Sequence, residues 1–428
     1  MGFGQALSGL NAAAQNLDVI GNNIANASTV GYKTGSIAFA DLYASSKIGL
    51  GVQVTSINQR FTTGNIDVTG NQYDMAIDGA NGFFRLVNSN GEIVYSRNGQ
   101  FIKDKENYIV NAQGLRLTGY PADEINDDGS ITSGVGRDPV ELIVPVGNIP
   151  PKETSKISFM RNLDSRADAI PDTVPFNPSV PTSFTNSTPM TVYDSLGNPH
   201  SLTQYYVKRP AEDGQSQWDV YYTVDGKPVA PTTAAGNGTA ATPYTDWQTT
   251  ARFTFSPDGR LTSDNNVTLT IPNPGGDNSP AAQMTVAMDY TGTTSFGSPF
   301  TQNFNQDGFQ SGEFASIAVG TTGEVIANYT NGETRNIGTL VLASFNNATG
   351  LQAVGGNSWK ESPASGQAIL GQPGSNGLAT VKGQAVEASN VDMSQELVNM
   401  IIAQRTYQAN AQTIKTQDQI MQTLMQMR

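Results

Sequence analysis

From Val391 to Arg428, positions four and three residues apart form one stripe: Met393, Leu397, Met400, Gln404, Tyr407, Ala411, Ile414, Asp418, Met421 and Met425. No Gly or Pro interrupts the run, Asn390 or Asp392 can cap its start, and Glu396 sits early enough to favour the positive end of the dipole. The spacing predicts a single helix more than about 50 Å long carrying a heptad seam, which polar Gln404 and Asp418 weaken. Such a helix cannot bury its own stripe. The other end of the chain repeats the alternation in Phe3, Leu7, Leu10, Ala14, Leu17, Gly21 and Ile24. Either stripe alone reads as an ordinary core face. Two matching stripes at opposite ends predict a terminal helix pair, with Ala12, Ala13, Ala14 and Gly21 allowing close approach. The remaining helix surface is largely Gln and Asn, so it can pack against other copies without burying unpaired charge.

Between the helices the pattern changes to short alternating runs. Residues 34–70 are apolar pieces broken by Gly49, Gly51, Gly64 and Gly70, which predicts extended strand and loop. From 71 onward strands are expected at Met75–Ile77, Phe83–Val87, Ile93–Tyr95, Tyr108–Val110 and Leu115–Leu117, with Asn81-Gly82, Asn90-Gly91 and Asn98-Gly99 as hairpin turns. After a Pro-rich link at Pro145, Pro150 and Pro151, the alternation sharpens through Leu202–Val207, Trp218–Thr223, Val267–Ile271 and Met284–Met288. The turn Gly197-Asn198-Pro199 lies between a strand at Thr191–Tyr193 and Leu202–Val207. The fold class is therefore α+β, mainly β, with a coiled-coil-like pair of terminal helices. The expected domains are nested: 1–70 with 371–428, the helical assembly domain and its linker; 71–147 with 306–370, a split β-domain; and 148–305, an inserted outer β-domain.

Charge sharpens this picture. The net charge of −13 argues against nucleic acid and anionic membrane as partners. Residues 1–70 and 371–428 are each formally neutral, so the middle of the chain carries the entire excess. There is no cysteine, which excludes disulfides and thiolate chemistry. No run is apolar enough to span a bilayer, and no cleavable secretory signal is seen, since the first basic residue is Lys33.

Candidate chemistry is sparse. The single histidine, His200, follows the turn at Gly197 and is expected to be an exposed turn residue, not a catalytic base. Glu124–Gly129 resembles a calcium loop, but Val135 stands where the closing acid should be, so an acidic Asx turn is preferred. No phosphate loop, paired-His motif or nucleophile elbow is present. No catalytic residue, cofactor or metal is expected.

The string Asn22-Asn23-Ile24-Ala25-Asn26-Ala27-Ser28-Thr29-Val30-Gly31-Tyr32-Lys33 resembles the N-terminal signature of the bacterial flagellar rod and hook proteins. Ser389–Asp392, Glu396–Ile401 and Ala403–Gln408 resemble the matching C-terminal signature, and Asn410–Ile420 is most similar to hook members. Asp78–Phe84, Tyr95–Phe101, Leu117–Tyr120 and Gly338–Phe345 extend the likeness inward, whereas 148–305 carries less of it. The resemblance implies a structural, non-enzymatic subunit of the hook, polymerising with itself into a short curved tube. It further implies hook cap, rod and hook–filament junction proteins as neighbours, and export through the flagellum's type III apparatus to an extracellular location. On this reading assembly falls to Phe3, Leu7, Leu10, Ala14, Leu17, Ile24, Leu397, Met400, Tyr407, Ala411, Ile414, Met421 and Met425, and the signature to Asn22, Asn23, Asn26, Gly31, Tyr32 and Lys33. A distal rod protein is the near alternative, and a secreted β-rich adhesin or glycan-active enzyme the far one. The far one leaves both terminal stripes unexplained.

Overall fold

The computed structural model describes residues 2–42, 51–125, 131–233, 251–276 and 279–426. Among the described residues two α-helices flank a mostly β chain: α1 spans Gly2–Ala25 and α2 spans Met393–Gln426. The uninterrupted C-terminal run therefore forms one helix of 34 residues, about 51 Å long. Asp392 is its cap: Oδ1 accepts from the amides of Ser394 and Gln395 at 2.9 and 3.1 Å, and Glu396 lies in the first turn. The chain divides into two compact units, Met1–Val146 with Ala315–Asn328 and Thr334–Arg428, and Gly147–Phe314 with Tyr329–Glu333.

In the first unit, α1 is followed by an antiparallel hairpin, β1 (Gly35–Leu42) with β2 (Gly51–Gln59), bulged between Ala38 and Phe39. The β body follows. Its central path runs through strands Thr334–Leu340, Arg116–Pro121, Phe83–Val87, Ile93–Ser96, Ser358–Lys360 and Gln352–Gly355, each hydrogen-bonded to the next. Phe84 pairs with Ser96 and Leu86 with Val94, so the inward residues of Phe83–Val87 and Ile93–Ser96 fall in register. An aromatic cluster seals one side: the Phe61 ring meets Phe83 at 5.3 Å and Trp359 at 5.4 Å, edge to face. Trp359 also donates its indole N–H to Gln59 Oε1 at 2.6 Å. The stretch after β2 is thus pinned to the body.

The Asn-Gly turns divide. Asn90-Gly91 closes the hairpin between Phe83–Val87 and Ile93–Ser96, with Gly91 at φ +79°. Asn81-Gly82 and Asn98-Gly99 do not close hairpins: the strands flanking each are not paired with one another. Gly99 shows no positive φ, and Asn98 caps locally, its Oδ1 accepting the Gln100 amide at 2.9 Å. The dipeptide marked a bend, but the partner strand came from elsewhere in the chain.

The second unit is a sandwich. Lys156–Asn162 pairs in parallel with Met284–Thr294 and antiparallel with Thr301–Gln306. Asn186–Tyr193, Pro199–Glu212, Gln215–Val224 and Ala251–Phe255 make the facing sheet. The turn at Gly197 closes its first hairpin, with Tyr193 opposite Pro199. Alternation along Met284–Thr294 is clear: Val286, Met288 and Tyr290 are buried while Thr285 and Ala287 face out. These side chains join Trp218, Tyr206, Phe253 and Phe255 in one core.

Candidate assembly site

The two helices pack against each other within the first unit. Gly9 of α1 lies against Asn410 of α2, while Asn16 and Ile20 share a recess with Glu396, Asn399 and Ile402. Rising numbers on one helix meet falling numbers on the other, so the pair is antiparallel. A β-carbon on Gly9 would come within 3.0 Å of the Asn410 amide, so the glycine permits this close approach.

The covered face only partly coincides with the one the apolar spacing selects. The buried residues of α1 are Ala6, Ala12, Ala13, Ile20 and Asn23, and on α2 Ala403 is buried with Asn399, Asn410 and Gln417 half-covered. Of the predicted seam, Leu10, Ala14, Leu17, Ile24, Met400, Ala411 and Ile414 are half-buried, whereas Leu7, Leu397, Tyr407, Met421 and Met425 are exposed. Part of that seam is therefore covered within one chain and part is left open. Small side chains bring the backbones together: Ala12 and Ala13, singled out in the sequence, and Gly9 and Ala403, which were not. Phe3 lies on the first turns of α1.

Large apolar side chains remain uncovered near both ends of α2. Leu397 is 47% exposed, Ile402 58% and Met425 69%, with Val398, Ile401, Ile420 and Met421 also uncovered. From Asp418 to Gln426 every residue whose burial is described is exposed. A soluble helix surface ordinarily carries charge at such positions; clustered exposed apolar groups mark a contact surface.

The signature residues have structural work. Asn22 and Asn26 close α1, the Asn26 side-chain amide donating to the Asn22 carbonyl at 3.0 Å. Asn23 is buried and bonds Gly35 twice, Nδ2 to its carbonyl and Oδ1 from its amide, both at 2.9 Å. Tyr32 donates to the same Oδ1 at 3.2 Å. Gly31 has φ +72°, and a β-carbon there would meet the Asn98 amide nitrogen at 2.6 Å, so only glycine fits. Lys33 is fully buried. Its ammonium reaches Glu387 at 2.5 Å and donates to the Thr62 carbonyl at 2.8 Å.

Glu387, which precedes α2, holds that site together. Oε1 also accepts the Gly64 amide at 2.8 Å, and Oε2 faces Arg97 at 3.3 Å. Arg97 donates to the carbonyls of Gly79, at 2.9 Å, and Ala80. Burial draws the pKa of both Lys33 and Arg97 down, and the Glu387 carboxylate works against it. Three residues later Asn390 accepts from the Thr34 amide at 2.8 Å and donates to the Arg60 carbonyl at 2.7 Å. The exit of α1, the segment after β2, the β body and the entry to α2 therefore converge on one carboxylate and one amide. Sequence reasoning missed Glu387 and Asn390 as ligands of this site; a lone Glu among apolar residues in Ala385–Glu387 was the available signal.

In the second unit His200 departs from expectation. It is buried, with Nδ1 2.7 Å from Asp225 Oδ2 and Nε2 3.3 Å from Asp194 Oδ2. Asp225 directly follows the next strand, Gln215–Val224, so a neighbouring turn covers the ring. The imidazole ties two turns together. The proposed acidic Asx turn at Glu124–Gly129 falls largely on residues outside those described. Among the described residues no group of three or more His, Asp or Glu side chains could hold a metal ion, and no helix is long and apolar enough to cross a membrane.

Comparison with known proteins gives this architecture its class. Residues 5–33 match the flagella basal body rod protein family, 76–157 the flagellar hook protein FlgE/F/G D1 domain, 162–309 the flagellar basal body protein FlaE D2 domain, and 382–427 the C-terminal region of the flagellar basal body rod FlgEFG proteins. These place the chain among the structural proteins of the flagellar axis. The flagellar hook protein FlgE of Salmonella typhimurium is 43% identical over 430 residues, and that of Escherichia coli 42% over 436, each covering 100% of both chains. The hook protein FlgE of Borreliella burgdorferi is 29% identical over 450 residues, covering 99% of this chain and 98% of its own. The chain belongs to the flagellar hook protein FlgE family and is a structural subunit of the hook. The crystal structure of Helicobacter pylori flagellar hook protein FlgE2 shares the fold, with a TM-score of 0.52 at 13% identity, covering 75% of this chain and 100% of that one.

Proposed function

We propose that the chain polymerises through the outward faces of α1 and α2 into a helical tube, the curved joint that carries torque from rod to filament. The observation that carries this is the uncovered apolar clusters on α2, Leu397 to Ile402 and Ile420 to Met425. The residues assigned to assembly then act between copies, because the contact inside one chain leaves those from Leu7 to Met425 free or half-free. Other copies are the main partners. Hook cap, rod and hook–filament junction proteins meet the ends of the tube, and the flagellar type III apparatus delivers the chain outside the cell without signal cleavage. No catalytic step, nucleic acid or membrane insertion belongs to this role. The test is electron microscopy of concentrated protein beside Leu397→Asp, which places a carboxylate in the first cluster. The parent should form tubes, and the variant should remain a monomer with unchanged hydrogen exchange in its β units. Normal tubes from Leu397→Asp would sink the proposal.

A further inference from the structure

The core of the second unit contains a cation that no carboxylate meets. Arg161 alternates inward with Ile157 and Phe159 on strand Lys156–Asn162 and is 4% exposed. Its guanidinium lies 3.9 Å from the Phe159 ring centre and 5.0 Å from those of Tyr206 and Tyr290. One terminal nitrogen donates to Gln204 Oε1 at 2.9 Å. Nε and the other terminal nitrogen have no protein partner. Among the described residues its ion pairs number none, although other buried cations here are paired: Arg209 sits 2.7 Å from Asp219.

Burial draws the Arg161 pKa down to about 10, against the opposing pull of Tyr290 and Tyr222. The side chain therefore stays charged at neutral pH. Aromatic faces and one amide oxygen soften the cost of burying it, but they do not replace a carboxylate and the missing hydrogen bonds. An apolar side chain of similar length could fill the same slot without that cost. The weakness is also local to this unit. Of nine buried side-chain nitrogen and oxygen atoms without a protein partner among the described residues, eight lie here, including Trp218 Nε1, Thr188 Oγ1 and Thr293 Oγ1.

We propose that Arg161 is a built-in destabilising element that keeps the second unit easy to unfold, so that the chain can be threaded through a conduit too narrow for a folded domain. This rests on the export reading above. The element acts before assembly and involves no contact with another copy.

Two substitutions remove the unpaired charge in opposite ways. Arg161→Met deletes the cation, and Gln204→Glu supplies a carboxylate at the position that already touches it. Each is made in the full-length chain. Stability is read by thermal melting with hydrogen exchange on peptides from each unit, and export by the rate at which subunits reach the medium in cells lacking their own hook protein. At least one variant should raise the melting of the second unit by about 4 °C or more, leave the first unit unchanged, and slow export several-fold. If neither melts higher than the parent, Arg161 is not a weak point and the proposal falls. If the second unit is stabilised and export keeps its rate, the element has no part in transit and the proposal falls equally. Failure of the parent chain itself to be exported would instead refute the functional reading, while the melting data would still judge the cost of Arg161.

Discussion

The two units treat buried charge differently. In the first, Lys33 and Arg97 converge on Glu387, and carbonyls of Thr62, Gly79 and Ala80 accept further N–H groups from them. In the second, Arg161 is left among aromatic rings. The ion pair in the first unit does more than neutralise charge. It joins segments more than 350 residues apart in sequence, so both helices leave the β body from one fixed point. Breaking a buried pair by removing one partner costs more than the pair contributes over an apolar substitute. A buried network of this kind therefore secures geometry even where it adds little stability.

The largest effect expected from this contrast is at Glu387. Glu387→Gln leaves two buried cations without a carboxylate and should destabilise the first unit by about 3–5 kcal/mol. Urea unfolding with hydrogen exchange on peptides from each unit measures it, and the second unit should be untouched. Equal loss in both units would show that they do not unfold separately. His200→Ala comes next, because it strips a buried partner from Asp194 and Asp225. A loss of about 1–3 kcal/mol confined to the second unit is expected; no loss would mean that the two turns hold without the ring.

A smaller effect is tied to pH. Burial alone would raise the Asp307 carboxyl, but the amides of Lys156 and Ser155, the Ser155 hydroxyl and Lys152 hold it at about 2. A carboxyl whose folded pKa lies below its unfolded value near about 3.9 stabilises above that value. The contribution disappears as pH falls through about 4 to 2. Asp307→Asn should cost about 1 kcal/mol at neutral pH, discounted for partial exposure, and should flatten the acid limb of the second unit's stability. An unchanged acid limb would remove Asp307 from the account. The smallest effect concerns assembly. The neutral helical ends and acidic middle predict that raising salt from low to physiological levels lowers the critical concentration for tubes, as screening shortens from about 30 to 8 Å. Tubes dissolved by added salt would point to ion pairs between copies instead of apolar clusters.

Much of the fold could be read from the chain, for reasons that differ by region. The run after Asp392 lacks Gly and Pro, so α2 followed from propensity and spacing. The strands Leu202–Val207 and Met284–Met288 alternate because one face meets the core. The helix contact was legible only in part: Ala12 and Ala13 announced a close approach, whereas Gly9 and Ala403, which line the same contact, leave no mark in hydrophobic spacing. Glu387 was hidden for another reason. Its partners Lys33 and Arg97 are distant in sequence, and local patterns contain no information about such pairing. His200 was misjudged because the turn carrying it is visible in sequence, while the turn of Asp225 that covers it is not.

The antiparallel run of α1 and α2 has a practical consequence for anyone wishing to watch this protein at work. It places residue 2 and residue 426 towards the same extremity of the helix pair, so a fluorescent or affinity tag at either terminus would crowd one place. A better attachment point lies in the hairpin between Pro199–Glu212 and Gln215–Val224. Asp213 and Gly214 are exposed there, with φ of +50° and +74°. The turn can receive a short peptide or a dye without disturbing either strand, and a label there would report the rotation of a working hook with both termini left bare.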